Sequence, residues 1–429
     1  MPARDTVITG FGLISPLGPN ARENFSGLSS LRTGIRHFPL DGLPDFLQYL
    51  GRIDSFALPD VSQKLMGQMK FLNRGALLGF AAAHEAVLHS GVDLACVPRE
   101  RRSLYIASGD FTKVGYDFLY PAMKDATNGA WKDVDAEKLN EATLNKVNPF
   151  FLLESLANNL FSFLSAYFEC MGPSTSIASL SPCGGYAIEL ACRSIRQDRA
   201  DIALAVGCGS WLTEIPLFEL ESFGLLSRCR DGVESFRPFD RNRDGFIPGE
   251  GGAVLVLESR EHAEKRGAQI LGSVLATANC LDYGRNDRLG LPDAVIERVV
   301  RTALDASGTD PSDIAFVSPH GSGTQKGDRS ELASVANVEK SLGVSFPVSG
   351  MKAYTGHLGA ASDVAEVILG LMALREGFVP ATLHFREPDR EYRSLRISGG
   401  HVPTDKGSFL SVSYGIAGQS SAVLIDKTR

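Results

Sequence analysis

The chain has 429 residues, of which 44% are hydrophobic and 22% are charged, and its formal net charge is −7. This length predicts two or three structural units, and the acidic balance argues against a protein that binds nucleic acid or an anionic membrane through its overall charge. No apolar run approaches the ~20 residues that cross a bilayer, and the N-terminal residues do not resemble a secretion signal. The seven cysteines are scattered along the chain. We therefore expect a cytoplasmic protein with reduced thiols.

Predicted strands and helices alternate along the chain. The first strand, at residues 6–8, runs into turns at Gly10 and Gly12. In chain order there follow a helix at 76–89, a strand at 103–107, a helix at 187–195, strands at 202–206, 253–257 and 270–276, a helix at 294–306, a strand at 314–317, a helix at 361–375, and strands at 409–412 and 422–425. This alternation is typical of an α/β fold with buried, largely parallel strands.

A charged, proline-free segment at residues 258–267 is the best divide in the chain. It predicts two α/β units that pack together, residues 1–262 and residues 263–429. No internal repeat in the sequence is strong enough to establish a duplication. Residues 108–150 are polar and lack a clear period, so we expect an excursion from the core there that forms a cap or a partner surface.

A strand-to-helix junction is predicted around Ser181. Ser181 precedes Pro182 and a helical segment, and serine suits the helix cap while proline suits the first helical position. Ser181 should then lie at the positive end of the helix dipole, where a nucleophile is often placed. A purely structural role as a helix cap remains open. Cys183, in the first helical turn, is expected to pack in the core rather than to react.

Two histidines lie at glycine-flanked junctions. His320 follows the strand at 314–317 and precedes a Gly-rich loop, a position where α/β proteins bind ligands. His357 ends a segment that begins at Lys352, for which Glu366 is the expected charge partner. No carboxylate is spaced to complete a metal site with the histidines. Residues 240–251 do not form a calcium loop either, because Gly251 stands where the closing Glu is required.

These motifs, with the Gly-rich stretches at residues 7–18, 237–252 and 413–418, resemble the β-ketoacyl carrier-protein synthases of the thiolase fold. The resemblance covers nearly the whole chain. It implies an α/β, thiolase-like five-layer α-β-α-β-α sandwich of two similar halves, and a dimer built around the half that carries the nucleophile. It also implies a substrate on the phosphopantetheine arm of an acyl carrier protein, without a cofactor of the protein's own.

The match is incomplete at the nucleophile. The family pattern is Thr-Ala-Cys-Ala/Thr-Ser-Gly, whereas residues 179–184 read Ser-Leu-Ser-Pro-Cys-Gly, so Ser181 occupies the position of the catalytic cysteine. The resemblance assigns the family's two catalytic histidines and its Lys–Glu pair to His320, His357, Lys352 and Glu366. It assigns the phosphopantetheine channel to Ser322 and Thr324, and it places Ile416 where the family has an aromatic gate in the last Gly-rich loop.

A site without the cysteine should lose acyl transfer, because a serine hydroxyl needs a general base and none is evident beside Ser181. The two histidines can still stabilise an enolate by hydrogen bonding, so decarboxylation should survive without condensation. This combination is similar to the Cys-to-Ser ketosynthase-like decarboxylases of polyketide β-branching cassettes, which act with hydroxymethylglutaryl synthase-like enzymes and convert malonyl to acetyl carrier protein. Two alternatives remain: a catalytically silent partner of the chain-length-factor type, and a condensing enzyme that acylates Ser181.

Carrier proteins are usually acidic, so docking onto this acidic chain should need a local basic patch. Lys64, Lys70 and Arg74 precede the helix at 76–89 and are predicted to form this patch. The alternative is that they are an ordinary solvated helix face.

Overall fold

A computed structural model of the protein describes residues 4–40, 42–108, 118–150, 156, 158–178, 181–283 and 290–427. Within these residues the α-helices are α1 (Ala21–Ser29), α2 (Gln63–Met69), α3 (Arg74–Ser90), α4 (Tyr120–Ala126), α5 (Ala136–Lys146), α6 (Asn159–Tyr167), α7 (Cys183–Arg196), α8 (Glu214–Ser222), α9 (Arg260–Lys265), α10 (Glu297–Ser307), α11 (Gln325–Leu342), α12 (Lys352–Thr355) and α13 (Ala361–Arg375). The strands are β1 (Thr6–Ile14), β2 (Arg36–His37), β3 (Tyr49–Leu50), β4 (Arg102–Ala107), β5 (Thr175–Ile177), β6 (Ile202–Ser210), β7 (Glu250–Ser259), β8 (Gly272–Leu281), β9 (Ile314–Ser318), β10 (Pro347–Val348), β11 (Phe378–Val379), β12 (Arg396–Ile397), β13 (Val402–Pro403), β14 (Ser408–Tyr414) and β15 (Gln419–Asp426).

The main sheet consists of two parts with matching topology. The N-terminal sheet has the strand order β5-β4-β6-β7-β1, and the C-terminal sheet continues from it with the order β8-β15-β14-β9-β10-β12. The two parts join where residues 6–8 of β1 pair antiparallel with residues 272–274 of β8. The predicted boundary between residues 262 and 263 lies in α9, which connects the two sheets along the chain. The division into two units stays a prediction.

The prediction of largely parallel strands is wrong for the inner strands of both sheets. The outer strands β5-β4-β6 and β10-β9-β14 are parallel. In contrast, β7 is antiparallel to β6 and β1, and β15 is antiparallel to β14 and β8. The reason is clear for β14 and β15, because the short turn at residues 415–418 can connect only antiparallel neighbours.

Strand β1 is longer than predicted, because Gly10 and Gly12 continue the strand instead of forming turns. Helix α3 packs across β1. A Cβ atom on Gly12 would lie 2.0 Å from the carbonyl oxygen of Ala82, and one on Gly10 would lie 2.5 Å from that of Ala86. These glycines therefore allow a helix to approach the strand closely, a role that cannot be distinguished from a turn without the packing.

Helices form three layers around the two sheets. α3 packs on the N-terminal sheet and α10 on the C-terminal sheet. α7 and α13 contact each other between the sheets; α7 contacts β4, β6 and β15, while α13 contacts β6, β7 and β14. Nearly all of α13 is buried, as expected for a helix that is apolar on every side. The layers follow the α-β-α-β-α order that the resemblance implies.

Part of the predicted excursion at residues 108–150 is helical. Helices α4 and α5 pack on each other there, and Asp135 caps α5 by accepting hydrogen bonds from the backbone N–H groups of Glu137 and Lys138. Residues 109–117 lie outside the described residues. In the part of the chain that the structure describes, no helix combines the length and the apolar character needed to cross a membrane.

Glu258, near the end of β7, is a buried carboxylate with three partners. Thr9 donates to Oε1 over 2.5 Å, Arg266 donates to both oxygens over 2.5 and 2.9 Å, and His262 Nδ1 lies 2.6 Å from Oε2. Burial opposes ionisation of Glu258, but these partners outweigh it and lower its pKa to about 2 from the ordinary 4.5. The ionised form is therefore favoured by folding.

This lowered pKa predicts a pH-dependent loss of stability. A depressed carboxyl pKa stabilises the fold above the unfolded-state pKa, and that stabilisation is lost as the pH falls through the folded-state value. At about 1.4 kcal/mol per pKa unit, native protein should lose about 3 kcal/mol more unfolding free energy than Glu258→Gln between roughly pH 5 and pH 2. Urea unfolding of both proteins across this range measures the difference; parallel pH profiles would contradict it.

Candidate active site

Ser181 lies directly before α7 but does not cap it. The helix begins at Cys183, and Pro182 is its capping residue without a side-chain hydrogen bond to the helix. The predictions that Ser181 caps the helix and that Pro182 is its first residue are therefore wrong. The Ser181 hydroxyl is buried and makes no hydrogen bond within the described residues. Cys183 is fully buried, as predicted.

The N-terminus of α7 is instead occupied by Asp363 of α13. Asp363 Oδ2 accepts hydrogen bonds from the backbone N–H groups of Gly184 over 3.0 Å and Gly185 over 3.3 Å. A Cβ atom on Gly184 would lie 2.8 Å from the Cβ of Asp363, so glycine is required for this approach. Sequence reasoning missed Asp363, although α13 contains only two acidic residues, Asp363 and Glu366.

His320 and His357 meet at the centre of the site. His320 follows β9 and His357 follows α12. Both rings are buried, and their Nε2 atoms are 3.1 Å apart. Burial, followed by the positive charge of Lys352, lowers the pKa of both histidines well below the ordinary value. Both imidazoles are therefore neutral at neutral pH.

The hydrogen bonds on the far side of each ring decide which nitrogen carries a proton. His357 Nδ1 accepts from the backbone N–H of Gly359 over 3.2 Å, so its proton is on Nε2. His320 Nδ1 lies 3.0 Å from the hydroxyl of Ser413. Because a hydroxyl can donate or accept, His320 can also carry its proton on Nε2. With the His357 proton on Nε2, the 3.1 Å contact is a hydrogen bond that His357 donates to Nε2 of His320. The pair directs two N–H groups at one oxygen atom when the Ser413 hydroxyl donates to His320 Nδ1 and a substrate oxygen replaces this contact.

Lys352 and Glu366 form the predicted ion pair behind His320. Lys352 Nζ donates to Glu366 Oε1 over 2.7 Å and to the carbonyl oxygen of His320 over 2.6 Å. Both side chains are buried. Burial raises the pKa of Glu366 to about 7 despite the attraction of Lys352. The pair connects α12 and α13 to the backbone of a candidate catalytic histidine.

Two acidic residues of α11 hold the loop that carries His320, and sequence reasoning missed both. Glu331 accepts hydrogen bonds from the backbone N–H groups of His320 over 2.6 Å and Gly321 over 2.8 Å. Asp328 accepts from the N–H of Gly323 over 2.9 Å. Burial raises the pKa of Glu331 well above its usual range and that of Asp328 to about 6. The sequence signal that could have identified these two residues is a pair of carboxylates one helical turn apart, directly after a Gly-rich loop.

Aromatic side chains enclose the two histidines. Trp211 and Phe246 each pack on His357 with ring centroids 4.8 Å apart, and Tyr414 packs on His320 at the same distance. Phe246 belongs to the Gly-rich stretch at residues 237–252, which leads into β7. These rings exclude water and therefore strengthen any hydrogen bond that the histidines donate.

One cavity of about 450 Å³, including its mouth, brings most of the predicted site residues together. It is lined by Ser181, Trp211, Leu220, Leu225, Phe246, His320, Ser322, Thr324, His357, Tyr414, Gly415 and Ile416. The hydroxyls of Ser322 and Thr324 are 2.8 Å apart. Ile416 is 43% exposed. The arrangement places a buried hydroxyl, two neutral imidazoles and an apolar wall around one space.

One of the three members of the predicted basic patch is paired within the fold. Arg74 donates to both carboxylate oxygens of the buried Glu250 over 2.6 Å and to the carbonyl oxygen of Ile53. Its charge is thus paired within the fold although its side chain is 43% exposed, so Arg74 should contribute least to the patch, which stays a prediction. Lys64 and Lys70 are exposed and remain available.

Family comparisons cover both parts of the chain. Residues 3–263 match the model of the beta-ketoacyl synthase N-terminal domain, and residues 279–386 match that of the C-terminal domain. The chain is 31% identical over 437 residues to a putative polyketide beta-ketoacyl synthase 1 of Streptomyces cyaneus, with 98% of each chain covered. It is 24% identical over 422 residues to 3-oxoacyl-(acyl-carrier-protein) synthase 2 of Staphylococcus aureus strain N315, again with 98% of each covered.

Solved structures agree with these matches. The ishigamide ketosynthase/chain length factor is 26% identical, with a TM-score of 0.82 and full coverage of both chains. A ketosynthase of Burkholderia phymatum STM815, at 23% identity, covers 99% of this chain and 100% of its own with a TM-score of 0.83 and shows the fold alone. The thiolase-like fold expected from the sequence is confirmed, and the chain belongs to the β-ketoacyl synthase family.

Proposed function

We propose that the protein decarboxylates malonyl carrier protein to acetyl carrier protein without forming a carbon–carbon bond. One observation carries this proposal: the two neutral histidines face each other in a buried cavity, while position 181 holds a serine. In the described part of the chain no side chain is hydrogen bonded to the Ser181 hydroxyl, so no general base activates it as a nucleophile. The similarity to Cys-to-Ser decarboxylases further suggests that the product supplies a β-branching step of polyketide biosynthesis.

In this mechanism the malonyl thioester oxygen accepts hydrogen bonds from Nε2–H of His320 and of His357. The bond between the carboxylate and the α-carbon breaks, carbon dioxide leaves, and the electron pair moves through the α-carbon onto the thioester oxygen as an enolate. Two preorganised donors in an apolar site stabilise that negative charge. The α-carbon then takes up one proton, which gives the acetyl thioester.

We further propose that the substrate arrives on the phosphopantetheine arm of an acyl carrier protein, past Ser322 and Thr324. Ile416, exposed at the cavity, would take the place of the aromatic gate. A fold relative at 21% identity, which covers 99% of this chain and 100% of its own with a TM-score of 0.82, is described as a type II PKS acyl-carrier protein in complex with its ketosynthase bound to the hexaketide. A homodimer and the absence of a cofactor of its own belong to the same proposal.

Intact-mass spectrometry of malonyl carrier protein after incubation with the purified protein tests the proposal. We expect conversion to acetyl carrier protein by native protein, and Ser181→Ala should retain much of this activity because Ser181 forms no covalent intermediate. Unchanged malonyl carrier protein would favour a catalytically silent partner. A stable acyl adduct on Ser181 of the native protein would favour a condensing enzyme.

Docking of the carrier protein should depend on Lys64 and Lys70. Reversing both charges, Lys64→Glu with Lys70→Glu, should weaken apparent affinity about threefold to tenfold at low salt, because exposed charge pairs contribute up to ~1 kcal/mol each. The loss should shrink as salt screens the charges. Reversal of Lys340, an exposed lysine near the end of α11, is the matched control. Unchanged affinity in the double variant would place the docking patch elsewhere.

A further inference from the structure

Asp363 links the two units of the chain at the start of the helix that follows Ser181. Its carboxylate comes from α13, which packs on α7 in the middle layer of the sandwich. It accepts hydrogen bonds from the backbone N–H groups of Gly184 and Gly185 and is itself 4% exposed. The contact is thus a buried, two-donor hydrogen bond and not a surface interaction.

The N-terminal amides of a helix normally favour negative charge, since they carry about half a positive charge and lack partners within the helix. A nucleophile placed just before such a helix gains part of its reactivity from them, because its anionic form is stabilised. Here the amides of Gly184 and Gly185 are already bound by an acidic side chain. An anion forming at position 181 would therefore lack these donors.

The surroundings of Asp363 support this arrangement. Burial raises the pKa of Asp363 and outweighs the opposing effects of Lys352 and the two amides, all of which favour the carboxylate form. Whether the Asp363 carboxyl group is ionised or protonated, its Oδ2 atom accepts hydrogen bonds from the same two backbone N–H groups. Asp363 packs so closely on Gly184 that a Cβ atom there would lie 3.0 Å from Oδ2 of Asp363.

We propose that Asp363 prevents acyl transfer at position 181 by occupying the N-terminal amides of α7. Two features then prevent acyl transfer: the serine at position 181 and the carboxylate of Asp363. Restoring a cysteine at position 181 alone does not restore a reactive nucleophile. Asp363 is a specificity-determining residue that acts through α7. The inference deepens the proposed function, but its test does not require that decarboxylation occurs.

The test measures how fast iodoacetamide alkylates a thiol introduced at position 181 at neutral pH. It compares the single variant Ser181→Cys with the double variants Ser181→Cys/Asp363→Asn and Ser181→Cys/Asp363→Ala. Peptide mass spectrometry separates position 181 from the seven natural cysteines. We expect slow alkylation in the single variant and about tenfold faster alkylation in Ser181→Cys/Asp363→Ala, which frees the two amides, the scale of a favourable helix-dipole interaction. Ser181→Cys/Asp363→Asn should stay nearer the single variant, because the Asn side-chain oxygen still accepts from the same N–H groups. Acylation by an acyl carrier protein should follow the same order.

Ser181→Cys/Glu376→Gln is the matched control, because Glu376 is an exposed carboxylate at the opposite end of α13. It should react as slowly as the single variant. Rapid alkylation and acylation of Ser181→Cys with Asp363 intact would overturn the proposal, and this outcome does not depend on whether the Asp363 variants fold. Equal rates in the folded proteins Ser181→Cys and Ser181→Cys/Asp363→Ala would overturn it as well.

Discussion

Replacing His320 or His357 by alanine should slow the formation of acetyl carrier protein by about 10²–10³-fold, the usual cost of removing one preorganised donor to a developing oxyanion. The Nε2 atoms lie 3.1 Å apart, so both can donate to one thioester oxygen, and either variant leaves the enolate with a single donor. Intact-mass spectrometry of the carrier protein over time gives the rates.

Asparagine variants distinguish a donor from a base. His357→Asn keeps a neutral N–H group and should retain more activity than His357→Ala, whereas loss of a proton acceptor would make both variants equally slow. His37→Ala is the matched control, because His37 is an exposed surface histidine, and it should have the native rate. Near-native rates in both His320→Ala and His357→Ala would remove the proposed mechanism.

The second large effect concerns stability and the buried Lys352–Glu366 pair. Glu366→Leu should lower the unfolding free energy by about 3–5 kcal/mol, because it leaves the charge of Lys352 buried without a partner. The double variant Lys352→Met/Glu366→Leu should lose less, since no unpaired charge remains. Both variants should also lose activity, because neither retains the Lys352–Glu366 pair that holds the backbone carbonyl of His320. Urea unfolding measures the stabilities.

An exposed ion pair is the matched control for this experiment. Arg329 and Glu391 are 2.6 Å apart, with side chains 63% and 44% exposed. Glu391→Gln should change the unfolding free energy by no more than ~1 kcal/mol, as is typical of surface pairs. If Glu366→Leu cost no more than this control, the pair would not be a buried electrostatic support of the site.

Four helices were predicted from the sequence, at residues 76–89, 187–195, 294–306 and 361–375, whereas the 18-residue α11 was not. The helix predicted at 361–375 has those bounds in the structure, because its apolar residues continue around all sides and define its length. The helix predicted at 294–306 is found at Glu297–Ser307. Strand directions were harder to predict from the sequence, because a buried strand has the same apolar pattern whether its neighbour is parallel or antiparallel. That information resides in the connections, such as the turn between β14 and β15.

Most of the predicted site residues lie in recognisable loops, and the exceptions are Lys352 and Glu366, which lie in helices. His320, His357 and Ser181 stand at glycine-flanked junctions, and the structure brings them to one cavity. Asp363 and Glu331 lie within helices, and their roles depend on which backbone amides the fold places beside them. Asp363 and Gly184 are separated by 179 positions, so no local pattern connects them. The start of α7 was mispredicted by one residue, because Pro182 occupies the cap position that Ser181 was expected to take.

The contact between Asp363 and α7 also limits how this sequence can evolve. A cysteine at position 181 alone would still face occupied amides, and loss of Asp363 alone would expose those amides to an unactivated serine. If Asp363 acts as proposed, condensation at this site requires substitutions at both position 181 and position 363, because neither change alone provides a reactive nucleophile. Single substitutions along the path between a decarboxylating and a condensing site then bring no gain in acyl transfer.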